Sequence, residues 1–104
     1  MLLGIRCGIK MRYSILQPKM DECWYCGTKR NLNIHEAFFG SAKRSLSIKY
    51  GCCVSLCATH HNLSNMSVHN NRDMDLNLKR AMQKKFMEVY PELDFIKIFG
   101  KSYL

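Results

Sequence analysis

Cys23-Trp24-Tyr25-Cys26-Gly27 and, farther along, Leu56-Cys57-Ala58-Thr59-His60-His61-Asn62 are the stretches that decide the fold of this chain. Cys23-x2-Cys26 and Cys57-x2-His60 each put two soft ligands on one turn, so the four side chains can converge on a tetrahedral Zn²⁺. Gly27 supplies the positive φ that a tight turn around a metal requires. The 30 residues between the half-sites exceed the usual spacing of a zinc ribbon, so the insert must fold back as a hairpin and loop of its own. The competing reading, four unrelated buried side chains, does not explain why both half-sites are phased alike. Cys52 and Cys53 lack such spacing and read as buried structural thiols. Trp24 and Tyr25, inside the first half-site, read as cover for the metal rather than as a base-stacking platform.

Outward from these stretches the chain divides into short elements. Residues 1–12 form an extension without periodicity, carrying Cys7 as a free thiol, and residues 13–104 form the domain. Tyr13, Ile15 and Leu16 read as a short strand or cover that Pro18 ends. Leu32 to Gly40 alternates and then runs apolar, as a half-buried strand entering a turn. Ser41 to Lys49 is basic and polar, a loop or an imperfect helical turn. Tyr50 to Leu56 has the content of a second strand. A helix is expected from about Cys57, carrying His60 and His61 and ending between Ser64 and His69. A longer helix should follow Asp73 and Asp75 and stop at Pro91, with Leu76, Leu78, Ala81, Met82, Phe86 and Val89 as its apolar stripe. Pro91 to Phe99 reads as a short last helix with Gly100 as C-cap.

Composition narrows the partners. Lys plus Arg number 16 against 8 Asp plus Glu, a net charge of +8, which suits a polyanion. Nucleic acid fits this charge better than a membrane surface, because no basic helix has an apolar insertion face and no apolar run approaches a span. At 104 residues one small core is available, and a metal staple strengthens it. The N-terminus lacks the regions of a secretory signal, so a cytoplasmic setting with reduced thiols is expected.

Between the half-sites lies His35-Glu36 at a strand end, and His61-Asn62 follows the second half-site directly. In order and spacing, Ile34-His35-Glu36-Ala37-Phe38-Phe39-Gly40, Lys49-Tyr50-Gly51, Leu56-Cys57-Ala58-Thr59-His60-His61-Asn62 and Val68-His69-Asn70, together with the first half-site, resemble the zinc-containing HNH endonucleases of phages and prophages. The resemblance covers about residues 13 to 90. It implies an α+β fold: a small ββα-metal domain with a structural zinc site and C-terminal helices. It also implies a hydrolase that cleaves DNA phosphodiester bonds with Mg²⁺ or another divalent ion, in the cytoplasm of a bacterial host.

Carried over by position, His35 falls on a metal-ligand position, Glu36 on the water-activating position and His61 on the helix ligand. The family places His where Glu36 stands, and its middle Asn is missing where Gly51 and Cys52 stand. A Glu, with an ordinary pKa of about 4.3, is a weaker base near neutrality. In the alternative register His35 is the base and Glu36 a ligand. His61, Asn65 and His69 would share one helix face, making His69 a third ligand or a phosphate contact; otherwise it is a surface histidine. Lys43, Arg44, Lys49 and Arg72 are the expected DNA contacts, with Lys79, Arg80, Lys84 and Lys85 on the approach or on a solvated face. A second copy would provide double-strand cutting. Two non-nuclease readings stand beside this one: a non-catalytic zinc-bound nucleic-acid-binding module, and a zinc-scaffolded protein-interaction domain.

Overall fold

A computed structural model describes residues 12–104. The expected Cys7 thiol and nearly all of the expected extension lie outside the described residues. The rest is a small α+β unit: β1 (Leu32–Glu36), α1 (Lys43–Tyr50), β2 (Cys53–Cys57), a π-helical turn (Thr59–Leu63), α2 (Arg72–Val89) and α3 (Phe95–Phe99). Among the described residues no helix is long and apolar enough to cross a membrane.

β1 and β2 form a two-stranded antiparallel sheet, with Leu32 opposite Cys57, His35 opposite Val54 and Glu36 opposite Cys53. β2 is buried at every position. Its second edge is covered by the chain before β1, as an open edge requires. Gln17 Oε1 accepts from Ser55 N–H at 2.8 Å, Trp24 N–H donates to Ser55 O at 2.9 Å, and Ser14 bridges Cys52. This segment is the cover expected of Ile15 and Leu16. It ties the first Cys pair to the strand that carries the second.

The stretch read as a basic loop or an imperfect helical turn is a full helix, α1. The helix is pinned from inside by Ser47, whose hydroxyl accepts from Phe38 N–H (3.1 Å) and donates to Phe38 O (2.7 Å). It closes on Gly51 at φ 74°, where a Cβ would lie 2.8 Å from Tyr13 Cδ2.

α2 and α3 lay their apolar faces on the hairpin. Phe38, Phe86, Phe95 and Phe99 pack with centroids 4.7–5.8 Å apart, Phe95 stacked on Phe99 and the other pairs edge to face or tilted, and Val54, Leu56, Leu78 and Met82 complete the core. The α2 stripe departs from expectation at two places. Val89 is exposed, and Gln83 is buried because its amide donates to Ser102 Oγ and accepts from Tyr103 N–H. Asn71, ahead of the two aspartates, caps α2 by accepting from Met74 N–H at 3.2 Å. Asp94 caps α3, and Gly100 closes it in the left-handed region.

Candidate functional site

The first knuckle is built by its own backbone. Gly27 N–H donates to Cys23 O and Cys23 N–H donates to Thr28 O, both at 2.8 Å, with Gly27 at φ 77°. Cys57 ends β2, and His60 sits one residue into the π-helical turn. Cys23, Cys26, Cys57 and His60 bring one donor atom each within 4.8 Å of all the others. Zn–S bonds of about 2.3 Å give tetrahedral S···S edges of about 3.8 Å and somewhat shorter S···N edges. Cys26 Sγ lies 3.7 Å from Cys57 Sγ, and His60 Nδ1 lies 3.4 Å from Cys57 Sγ and 3.8 Å from Cys23 Sγ. The cluster has the dimensions to hold a metal such as zinc. Burial pushes the Cys23 thiol up, but N–H groups around it outweigh burial and leave it below the ordinary thiol range, which favours the ligating thiolate. Tyr25 stacks on the His60 ring at 5.4 Å and donates its hydroxyl to Met74 O, so it covers the cluster and joins it to α2. Cys52 and Cys53 stay outside the cluster, fully buried, and burial pushes both thiols up to about 12.

A second cluster lies on the other side of the same turn. His35, His61 and His69 bring their ring nitrogens within 4.8 Å of one another. His61 Nε2 and His69 Nε2 are 3.2 Å apart, and the His35 ring centroid is 5.3 Å and 5.1 Å from theirs. Tetrahedral metal–nitrogen bonds of about 2.0–2.1 Å imply N···N edges of about 3.3 Å, so the pair is already at ligating separation. His35 is 3% exposed, and its Nε2 has no hydrogen-bond partner among the described residues. A buried polar nitrogen without a partner is costly unless something binds it. Burial, then the charges of His61, His69, Lys79 and Arg44, push the His35 imidazole down to about 3; burial and His69 lower His61 as well. Both rings are therefore held in the neutral form that ligates metal.

His69 does not reach this cluster along a helix. The helix expected from Cys57 is only the single π-helical turn, and the chain then folds back, with Val68 N–H donating to His60 O (2.8 Å) and His69 N–H donating to His61 O (3.2 Å). His69 thus reaches His61 across the turn that folds back on it. Asn65, expected on the same face, takes no part in the cluster; its carbonyl accepts from Asn71 Nδ2.

The histidines line a cavity of about 230 Å³ together with Ile34, Glu36, Phe39 and Arg44. Glu36 is outside the ligand group. Its Oε2 is 2.8 Å from Arg12 Nε and its Oε1 is 3.4 Å from Arg44 Nε, with the carboxylate mostly buried and Arg44 mostly exposed. Of the expected DNA contacts, Arg44 therefore stands at the cavity, Arg72 is exposed at the start of α2, Lys49 lies over the Tyr50 ring and Lys43 is half-buried beside Gly100. Lys79 is not on a solvated face: its Nζ is 2.6 Å from Asp75 and 4.3 Å from the Phe39 centroid, with the side chain 11% exposed. Arg12 and Phe39 are cavity neighbours that sequence reading did not single out, and nothing in their local pattern marks them. No family model matches the chain, and no curated protein or solved structure matches it.

Proposed function

We propose that this chain is a metal-dependent DNA endonuclease of the HNH type, a hydrolase of phosphodiester bonds. The observation that carries the reading is the convergence of His35, His61 and His69 on one cavity with Glu36 and Arg44 at its wall. In this reading the two strands and the turn that follows them are the ββα-metal motif. The Cys3His cluster is its structural zinc site, with no position left open for chemistry.

His35, His61 and His69 would hold the catalytic divalent ion. Bound there, it would supply positive charge to the scissile phosphate and the leaving oxygen. Glu36 is the proton acceptor for the attacking water, since His35 turns toward the other imidazoles and Glu36 does not. Arg44, long and exposed, swings from Glu36 Oε1 to a phosphate oxygen when DNA arrives. Arg12 keeps Oε2, so the carboxylate stays oriented while Oε1 becomes free to accept a proton. Arg72 and the other exposed cations add salt-dependent affinity that does not read sequence. The reduced cysteines suit the cytoplasm of a bacterial host carrying the gene on a phage or prophage. Paired copies would cut both strands.

The double ion pair on Glu36 favours one second reading, a zinc-bound nucleic-acid-binding module without catalysis. Nicking of supercoiled plasmid with Mg²⁺, Mn²⁺ or Ni²⁺ separates the two, comparing the wild type with His35→Ala, Glu36→Ala and His61→Ala. Cleavage by the wild type alone supports the nuclease, and cleavage that survives all three substitutions refutes the site. Binding of the plasmid without nicking supports the module.

A further inference from the structure

The loop between His61 and His69 holds two large apolar side chains in water: Leu63 is 75% exposed and Met66 is 52% exposed. A single exposed leucine needs no explanation. Two on one loop that is fastened at nearly every residue do. Ser64 Oγ donates to Thr59 O (2.7 Å), and Ser67 Oγ donates to Ser64 O (2.7 Å). Asn70 Nδ2 donates to Asn62 O (2.9 Å) and to Ser64 O (3.2 Å), and Asn71 Nδ2 donates to Asn65 O (2.9 Å). The returning segment closes the loop through Val68 and His69, whose N–H groups donate to His60 O and His61 O.

These bonds fasten the loop from within and leave Leu63 and Met66 exposed beside the side chains of Asn62 and Asn65. Fixing the backbone in advance also lowers the entropy cost of pressing the loop into a partner. Both ends of the loop are members of the histidine cluster. Leu63 follows His61 by two residues and Met66 precedes His69 by three, so both side chains are tethered close to that cluster, and Arg72 is exposed at the start of α2.

We propose that Leu63 and Met66 form a rigid wedge that enters between stacked bases beside the phosphate held at the histidine cluster. The occupant is duplex DNA, argued from the net charge of +8 and from the loop's two ends, His61 and His69, both standing at the cavity. Apolar side chains inserted at a base step unstack it, which costs least at flexible steps, gaps and mismatches. The substrate class is therefore DNA that opens easily next to the cut. This inference rests on the endonuclease reading for its substrate, but its test is read by binding and unstacking, not by cleavage.

The test uses the full chain with its resident metal and no other divalent ion added. The probes are a short duplex carrying a fluorescent adenine analogue at a pyrimidine–purine step, and the same duplex with a gap at that step. The wild type should raise the analogue's emission on binding. The Leu63→Ser/Met66→Ser variant should lose that rise and bind the intact duplex about tenfold more weakly, but the gapped duplex only about twofold more weakly. Ile96→Ser, an equally exposed apolar position on α3, should behave as the wild type. Emission and affinities unchanged in the double variant would overturn the wedge. So would loss of self-association in its place, which assigns the patch to a second copy of the chain. Unstacking supports the wedge whether or not the separate plasmid assay with added Mg²⁺, Mn²⁺ or Ni²⁺ shows nicking, whereas nicking in that assay without unstacking of the probe duplex overturns the wedge and leaves the nuclease standing. Absence of DNA binding by the wild type overturns both.

Discussion

Replacing His35 with asparagine should flatten the dependence of stability on pH between 7 and 5. His35 is 3% exposed, and burial, followed by its cationic and imidazole neighbours, pushes it down to about 3 from an ordinary 6.5. Between those two values the unfolded chain binds a proton that the folded chain refuses. Stability from this residue is then fully present above about pH 6.5 and is lost as pH falls toward 3. The slope is about 1.4 kcal/mol per pH unit, so acidification from 6.5 to 5 should cost the wild type about 2 kcal/mol through His35 alone. For a domain of this size that is roughly 10 °C in Tm. Thermal unfolding of both proteins at pH 7 and pH 5 reads the effect as a difference of differences. Acid effects on the Cys3His cluster occur in both proteins and cancel, provided each retains its metal at both pH values. A His35→Asn variant whose Tm falls as steeply as that of the wild type would refute the reasoning, because His35 would then be protonated in the folded chain or reachable by water.

Four other outcomes are expected. Cys57→Ser should abolish zinc retention and cooperative unfolding together, as metal analysis and circular dichroism would register, since Cys57 belongs to both the Cys3His cluster and the core. Glu36→Ala should lower nicking by about 100-fold or more while leaving the fold and the zinc content intact, the split between kinetics and metal analysis being the check. Gly51→Ala should cost about 1–2 kcal/mol in denaturant unfolding, because it forces a Cβ into a left-handed turn and against the Tyr13 ring. Mn²⁺ or Ni²⁺ should support nicking at lower concentration than Mg²⁺, because three imidazoles suit ions that accept nitrogen whereas Mg²⁺ prefers oxygen; equal requirements would argue against a three-histidine ligand set.

The parts of this fold legible in the sequence are those in which one local rule decides the outcome. The knuckle spacings, the strand before His35, the long helix with its stop at Pro91 and the Gly100 cap are of this kind. α1 was hidden because its inward anchor is Ser47, whose value lies in two hydrogen bonds to a residue nine positions away. Lys79 stood between the approach and a solvated face for the same reason: a helical lysine looks solvated until Asp75 and Phe39 are seen to enclose it. The histidine cluster was legible in membership but not in route. Spacing by eight suggested one helical face, yet Ser64, Asn70 and Asn71 favour backbone capping over helix, and the chain doubles back instead. Arg12 has no local signature because its partner, Glu36, is 24 residues away.

The doubling back explains why the two clusters occur together. His60 and His61 are consecutive on a π-helical turn, and one enters the Cys3His group while the other enters the three-histidine group. A π turn is a costly local geometry, found mostly where function needs it, and here each cluster holds one of its two imidazoles. The returning segment then bonds back to them in order, Val68 N–H to His60 O and His69 N–H to His61 O. Val68, opposite His60, is buried in the core, and His69, opposite His61, completes the cavity. The Cys3His group therefore does more than staple a small domain. By fixing His60 it fixes the rotation of the turn, and the rotation of the turn decides whether His61 and His69 face His35 or face water.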